Sequence, residues 1–158
     1  MDAADGPYTA LILARAGLVR LGLGERISSD LGPPILYHAV SQGALGVEVR
    51  ADDSEALEMC KRISDIERLF ECTAERTCLG ELEGGCSVPV GMASEFVDGE
   101  LKVTGTVTSV DGKKHVECTV KDKVKNEEEA EKLGVRLGNM LLDNGAKDIL
   151  QHVSYKPL

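Results

Sequence analysis

Two Asp-Gly pairs, Asp98-Gly99 and Asp111-Gly112, constrain this 158-residue chain more than any other feature. Each lies between runs of alternating apolar and polar residues, and Asp-Gly tolerates the positive φ that a tight hairpin turn needs. The runs, residues 87–97, 100–110 and 114–120, predict a three-stranded antiparallel meander. In the middle run Leu101, Val103 and Val107 alternate with Lys102, Thr104, Thr106 and Thr108, so one face is buried and the other wetter. A sheet with one apolar face needs a second layer to cover it.

Helices with legible ends supply that layer. Asp52-Asp53-Ser54-Glu55 caps a helix running to residue 63, with Ala56, Leu57, Cys60 and Ile63 on one side. Ser64 and Glu67 have capping-box spacing and restart a helix at Asp65, which carries Ile66, Leu69, Phe70, Thr73, Thr77 and Cys78 on to Leu82. Asn126 with Glu129 caps a last helix, whose apolar side is Ala130, Leu133, Leu137 and Leu141. Asn144-Gly145 ends it, and a short extension follows. Residues 51–158 therefore read as helix, helix, three-stranded antiparallel sheet, helix, a complete two-layer α+β domain.

Residues 1–50 read differently. Thr9 is placed to cap a helix with Leu11, Ala14, Leu18 and Leu21 on one face, ended by Gly22 and Gly24. Residues 27–31 suggest a further turn of helix, and Gly32-Pro33-Pro34 is a break. Residues 35–40 and 45–50 read as strands on either side of a turn, Ser41-Gln42-Gly43-Ala44. One helix and two short strands cannot bury both faces of a sheet, so this stretch reads as a segment of a larger α/β domain.

Composition removes several functions. A net charge of −9 and five aromatic residues, none of them Trp, argue against nucleic-acid binding, which needs basic clusters or stacking platforms. Arg15 and Arg20 interrupt the longest apolar run, residues 10–23, which is too short and too charged to span a bilayer. The five cysteines include no C-x-x-C pair and the three histidines lie far from any paired thiols, so no metal site is expected. Gly22-Leu23-Gly24 follows a helix and lacks a third glycine, unlike a dinucleotide fingerprint. Cysteine usage fits a reducing compartment, with the cytoplasm expected and a plastid as the alternative.

Chemistry concentrates in Leu82-Glu83-Gly84-Gly85-Cys86-Ser87-Val88-Pro89. Two glycines end a helix and strip side chains from the positions before Cys86, and Pro89 stiffens the chain beyond it. This is a thiol on a bare turn, open to something bulky. Cys60, Cys72, Cys78 and Cys118 fall beside apolar positions and read as packing residues. His38 reads as a structural histidine, and Glu127-Glu128-Glu129 as helix-start acid rather than a metal site.

The cysteine stretch, with Ala74-Glu75-Arg76 before it, resembles the cofactor-attachment loop of the porphobilinogen deaminase (hydroxymethylbilane synthase) family. Three further stretches agree in order: Ala16-Gly17-Leu18-Val19-Arg20-Leu21-Gly22, Val40-Ser41-Gln42-Gly43-Ala44-Leu45-Gly46-Val47-Glu48 and Leu141-Leu142-Asp143-Asn144-Gly145-Ala146-Lys147-Asp148-Ile149-Leu150. The resemblance covers nearly the whole chain.

It implies a transferase of tetrapyrrole and heme biosynthesis that polymerises porphobilinogen with release of ammonia. The growing polypyrrole is built on a dipyrromethane cofactor joined by a thioether to Cys86. A thiolate suits the capture of the methylene-pyrrolenine left when porphobilinogen loses ammonia. Arg20 would bind a pyrrole carboxylate bidentately, and Gln42 and Gly43 would contact the cofactor. The family more often has Gly than Ser at position 41. Residues 1–50 would be the end of the family's second domain with a returning strand of its first, and residues 51–158 its cofactor-anchoring third. The family's catalytic aspartate lies in an N-terminal region without counterpart here, so no catalytic residue is expected in this chain, which alone would be inactive. A separate N-terminal portion of the enzyme is a further expected partner. The family is usually monomeric. The alternative is a non-catalytic α+β interaction or regulatory module that keeps the fold alone.

Overall fold

Asp98 and Gly99 both take positive φ, 55° and 77°, the pattern of a type I′ turn, whose twist matches the strands it joins. The computed structural model describes residues 8–82 and 88–151. In it this turn links β1 (Val90–Val97) to β2 (Glu100–Thr108), and a longer connection leads to β3 (His115–Asp122). In that second turn Gly112 has φ 70°, and the Ser109 and Lys114 backbones pair at 2.8 Å. The sheet is antiparallel in the order β1-β2-β3, with Val103 opposite Ser94 on one side and Val120 on the other. Leu101, Val103 and Val107 are fully buried, as their alternation predicts.

The chain divides into two units, Met1–Gly32 and Pro33–Leu158. In the second, α3 (Ile66–Glu81) packs on β1 and β2, α4 (Glu127–Leu141) packs on β2 and β3, and the two helices pack on each other. Two glycines let the helix backbones approach. A Cβ on Gly134 would meet the Ala74 carbonyl and lie 2.8 Å from Thr77 Cβ, and one on Gly138 would press on Glu81. Met92, Leu137 and Leu141 fill the space between helices and sheet. Asn126 caps α4 by accepting the Glu129 N–H at 2.9 Å. Gly145, at φ 105°, turns the chain into α5 (Lys147–Gln151). The α+β architecture is as the sequence predicts.

Five local expectations need correction. The cap of α3 is Asp65, whose Oδ1 accepts the Glu67 and Arg68 N–H groups, while the Ser64 hydroxyl donates to Cys60 O at 2.8 Å and closes α2 (Ser54–Ile63). An anionic cap gains more from the helix dipole than a hydroxyl does. The predicted apolar side of α2 is not buried: Leu57 is 43% and Ile63 77% exposed, because α3 and α4 already cover the inner face of the sheet.

In the first unit the helix is α1 (Arg15–Arg20), starting after Ala14 with no side-chain cap, so Thr9 is not its cap. Leu11, Ile12 and Leu13 are more than half exposed, and without a buried stripe a longer helix gains little. The end is as expected: Gly22 at φ 73° and bonds from Gly22 N–H to Val19 O and Leu23 N–H to Leu18 O form a Schellman motif. The turn that follows is a 3-10 helix at Gly24–Arg26, ahead of residues 27–31.

Residues 35–40 and 45–50 are not strands. Only His38 pairs, exchanging backbone bonds of 3.1 and 2.7 Å with Met92 at the edge of β1. The left-handed residues Ser41 and Gly43 turn the chain away directly afterwards.

Candidate functional site

The turn that follows His38 carries two of the predicted site residues. Gln42 N–H donates to Ala39 O at 2.9 Å and Ala44 N–H to Ser41 O at 3.2 Å. Ser41 has φ 57° and Gly43 φ 83°. Gln42 and Gly43 are exposed, and nothing lies within 4 Å of where a Gly43 Cβ would be. A planar group can therefore approach the backbone at Gly43 while the Gln42 amide is available to it.

The turn is tethered to α3 and β1. Glu75, on the buried face of α3 and 7% exposed, accepts the Ser41 N–H on Oε2 at 2.6 Å and the Ser94 hydroxyl on Oε1 at 2.6 Å. Its neighbour Arg76 donates from Nε to Ser41 Oγ at 3.1 Å. One residue before the turn's bridge, Tyr37 lies over β1: a Cβ on Gly91 would be 2.5 Å from Tyr37 Cβ. Burial, with a hydrogen bond to Glu117, holds the Tyr37 phenol above its ordinary range.

Sequence reasoning missed Glu75. Its signal was there: Glu71, Ala74, Glu75 and Cys78 share one helical stripe, all buried, and a carboxylate on such a stripe must find donors. Glu71, 5% exposed, pairs with Arg68, and its Oε1 has no partner among the described residues. Burial raises the Glu71 carboxyl pKa despite that arginine.

Arg20 is exposed, the last residue of α1 in the first unit. Cys86 lies outside the described residues, which resume at Val88. The helix leading towards it ends on Leu82, buried at 3%. Of the other cysteines, Cys78 and Cys118 are buried and Cys60 and Cys72 half-buried. Burial pushes the Cys78 thiol up to about 12, with Glu81 adding to the effect, which makes it inert as a nucleophile. Among the described residues no group of His, Cys, Asp or Glu is arranged to hold a metal ion, and no helix is long and apolar enough to cross a membrane.

Residues 1–58 match the family model for the porphobilinogen deaminase dipyromethane cofactor binding domain, and residues 69–143 the model for the porphobilinogen deaminase C-terminal domain. The chain is 47% identical over 148 residues to the porphobilinogen deaminase of Nostoc sp., 44% over 156 residues to that of Schizosaccharomyces pombe and 39% over 158 residues to that of Debaryomyces hansenii. These alignments take in 94%, 96% and 99% of this chain but 45%, 46% and 44% of the relatives. The chain thus spans less than half the length of these relatives. The tethered turn falls inside the first family match, and Cys86 inside the second.

Proposed function

Because the chain belongs to the porphobilinogen deaminase family, we propose that it is the cofactor-anchoring part of a hydroxymethylbilane synthase, a transferase of tetrapyrrole biosynthesis. What supports this most is the order of the two family matches: a dipyrromethane-binding domain over residues 1–58, then a C-terminal domain over 69–143 that includes Gly84-Gly85-Cys86. Residues 1–50 would then be a segment of the earlier domains and residues 51–158 the anchoring domain. The substrate is porphobilinogen, the product a linear tetrapyrrole, and the setting cytoplasmic or plastidic, with the assembled enzyme a monomer.

The described residues fit dipyrromethane. Gln42 is exposed beside an open glycine backbone, and the turn bearing both is fixed in a left-handed conformation. When bound, dipyrromethane supplies the primer on which pyrrole units are joined. Cys86 holds it by a thioether, the bond a thiolate forms with a carbon electrophile. Gln42 and the Gly43 backbone orient it, and Arg20 binds a ring carboxylate through its planar guanidinium. None of these side chains is assigned the proton chemistry of condensation.

The test is porphobilinogen consumption by the chain co-produced with those residues of the Nostoc relative that it does not span. Activity that is present in the parent, abolished by Cys86→Ala and kept by Cys60→Ala is expected. Equal activity in Cys86→Ala and the parent would overturn the assignment.

A further inference from the structure

Glu75 joins three elements that are distant in sequence. Its carboxyl group sits on α3, accepts a hydroxyl from β1 and accepts the backbone N–H of a turn thirty-four residues earlier. A carboxylate this buried costs free energy unless its oxygens are bonded, and both are. The bond to Ser41 is to the main chain, so it sets where the turn's backbone lies and not merely a side chain. Ser41 needs that hold, since a left-handed φ of 57° is unfavourable for a residue with a Cβ. Arg76 grips the same serine through its hydroxyl.

The geometry points to Glu75 as the positioning residue that fixes the Ser41–Gln42–Gly43 turn for dipyrromethane, with Ser94 as its anchor on the sheet. This deepens the proposed function and rests on it, because only there do Gln42 and Gly43 touch a ligand. In the sequence, Cys86 follows the end of α3 at Glu81 by five positions. The helix that leads to the covalent anchor therefore also carries the clamp on the second contact segment. Glu75 touches no ligand itself. Its effect is to keep the turn preorganised, so that binding does not have to order it.

Two readouts separate this role from bulk stability. The first is amide hydrogen exchange at Ser41 in the 158-residue chain, with amides of Leu137 and Leu141 as the core reference. The second is the fraction of chain carrying a dipyrromethane mass on Cys86 after co-production with the unspanned residues of the Nostoc relative. Glu75→Ala is expected to speed Ser41 exchange by about tenfold or more, the loss of a hydrogen bond to a charged group, leave the core amides unchanged and lower the loaded fraction several-fold. Glu75→Gln keeps an acceptor for Ser41 and can donate to Ser94, and should restore both readouts. If Glu75→Ala does not fold, Ser94→Ala decides, with smaller changes in the same direction.

Unchanged Ser41 exchange in the variant that folds would overturn the clamp. Faster exchange with undiminished loading would overturn its positioning role. A parent that never carries the adduct would instead overturn the functional reading, and the proposal with it.

Discussion

Ser41 stands at φ 57°, in the left-handed region that favours glycine, and the structure shows how a serine can occupy that position. Its N–H and hydroxyl are both held by α3. A β-branched side chain tolerates the left-handed region worst. Ser41→Val should therefore lose about 1–2 kcal/mol in urea unfolding, whereas Ser41→Gly stays within about 1 kcal/mol of the parent. A neutral valine would mean the turn is not left-handed. Nothing in the sequence near Ser41 announces its tether, because the partners, Glu75 and Ser94, are brought in by tertiary packing. Gln42 and Gly43 were candidates by resemblance alone. Cys78 gives a pH prediction at the same scale. Its folded pKa, about 12, lies above the ordinary thiol value near 9. The folded state thus keeps a proton that the unfolded chain loses, so stability is fully present below pH 9 and falls between pH 9 and 12. Cys118, also raised by burial, acts in the same direction. A melting temperature flat across that window, or one in which Cys78→Ala keeps the full decline, would contradict it.

Among the elements, the α3–α4 contact sets two opposing effects against each other. Alanine favours a helix over glycine by up to about 1 kcal/mol. At Gly134 the added methyl would meet Thr77 and the Ala74 backbone, and overpacking costs about 1–3 kcal/mol. Packing should win, so Gly134→Ala destabilises by about 1–2 kcal/mol net. Gly80, on α3 with nothing within 4 Å, has no such opposition, and Gly80→Ala should stabilise by up to about 1 kcal/mol. Equal effects at the two sites would refute the close approach. A second pair tests the cap: Asp65→Ala should cost about 1 kcal/mol and Ser64→Ala clearly less. The sheet was readable because Asp98-Gly99 and the alternation in β2 are local signals that tertiary structure reinforces. The strands expected at residues 35–40 and 45–50 failed because an extended apolar run needs a partner ladder, and only His38 finds one. The α2 stripe failed for a related reason, since periodicity reports a face but not whether anything covers it.

For the whole molecule, the α+β unit from Pro33 onwards holds the core and the tethered turn, while Arg20 lies in the other unit. The chain spans under half of its relatives. Fold class was legible from patterning, but function was not: composition only excluded alternatives, and the motif around Cys86 named the chemistry through resemblance. The most direct measurement is the intact mass of the chain, purified alone and after co-production with the residues of the Nostoc relative that it does not span. An unmodified mass alone, and in company a gain equal to dipyrromethane that maps to Cys86 and vanishes in Cys86→Ala, is the predicted result. An unmodified mass in both preparations, or an adduct that survives Cys86→Ala, would contradict the account and leave a fold without its chemistry.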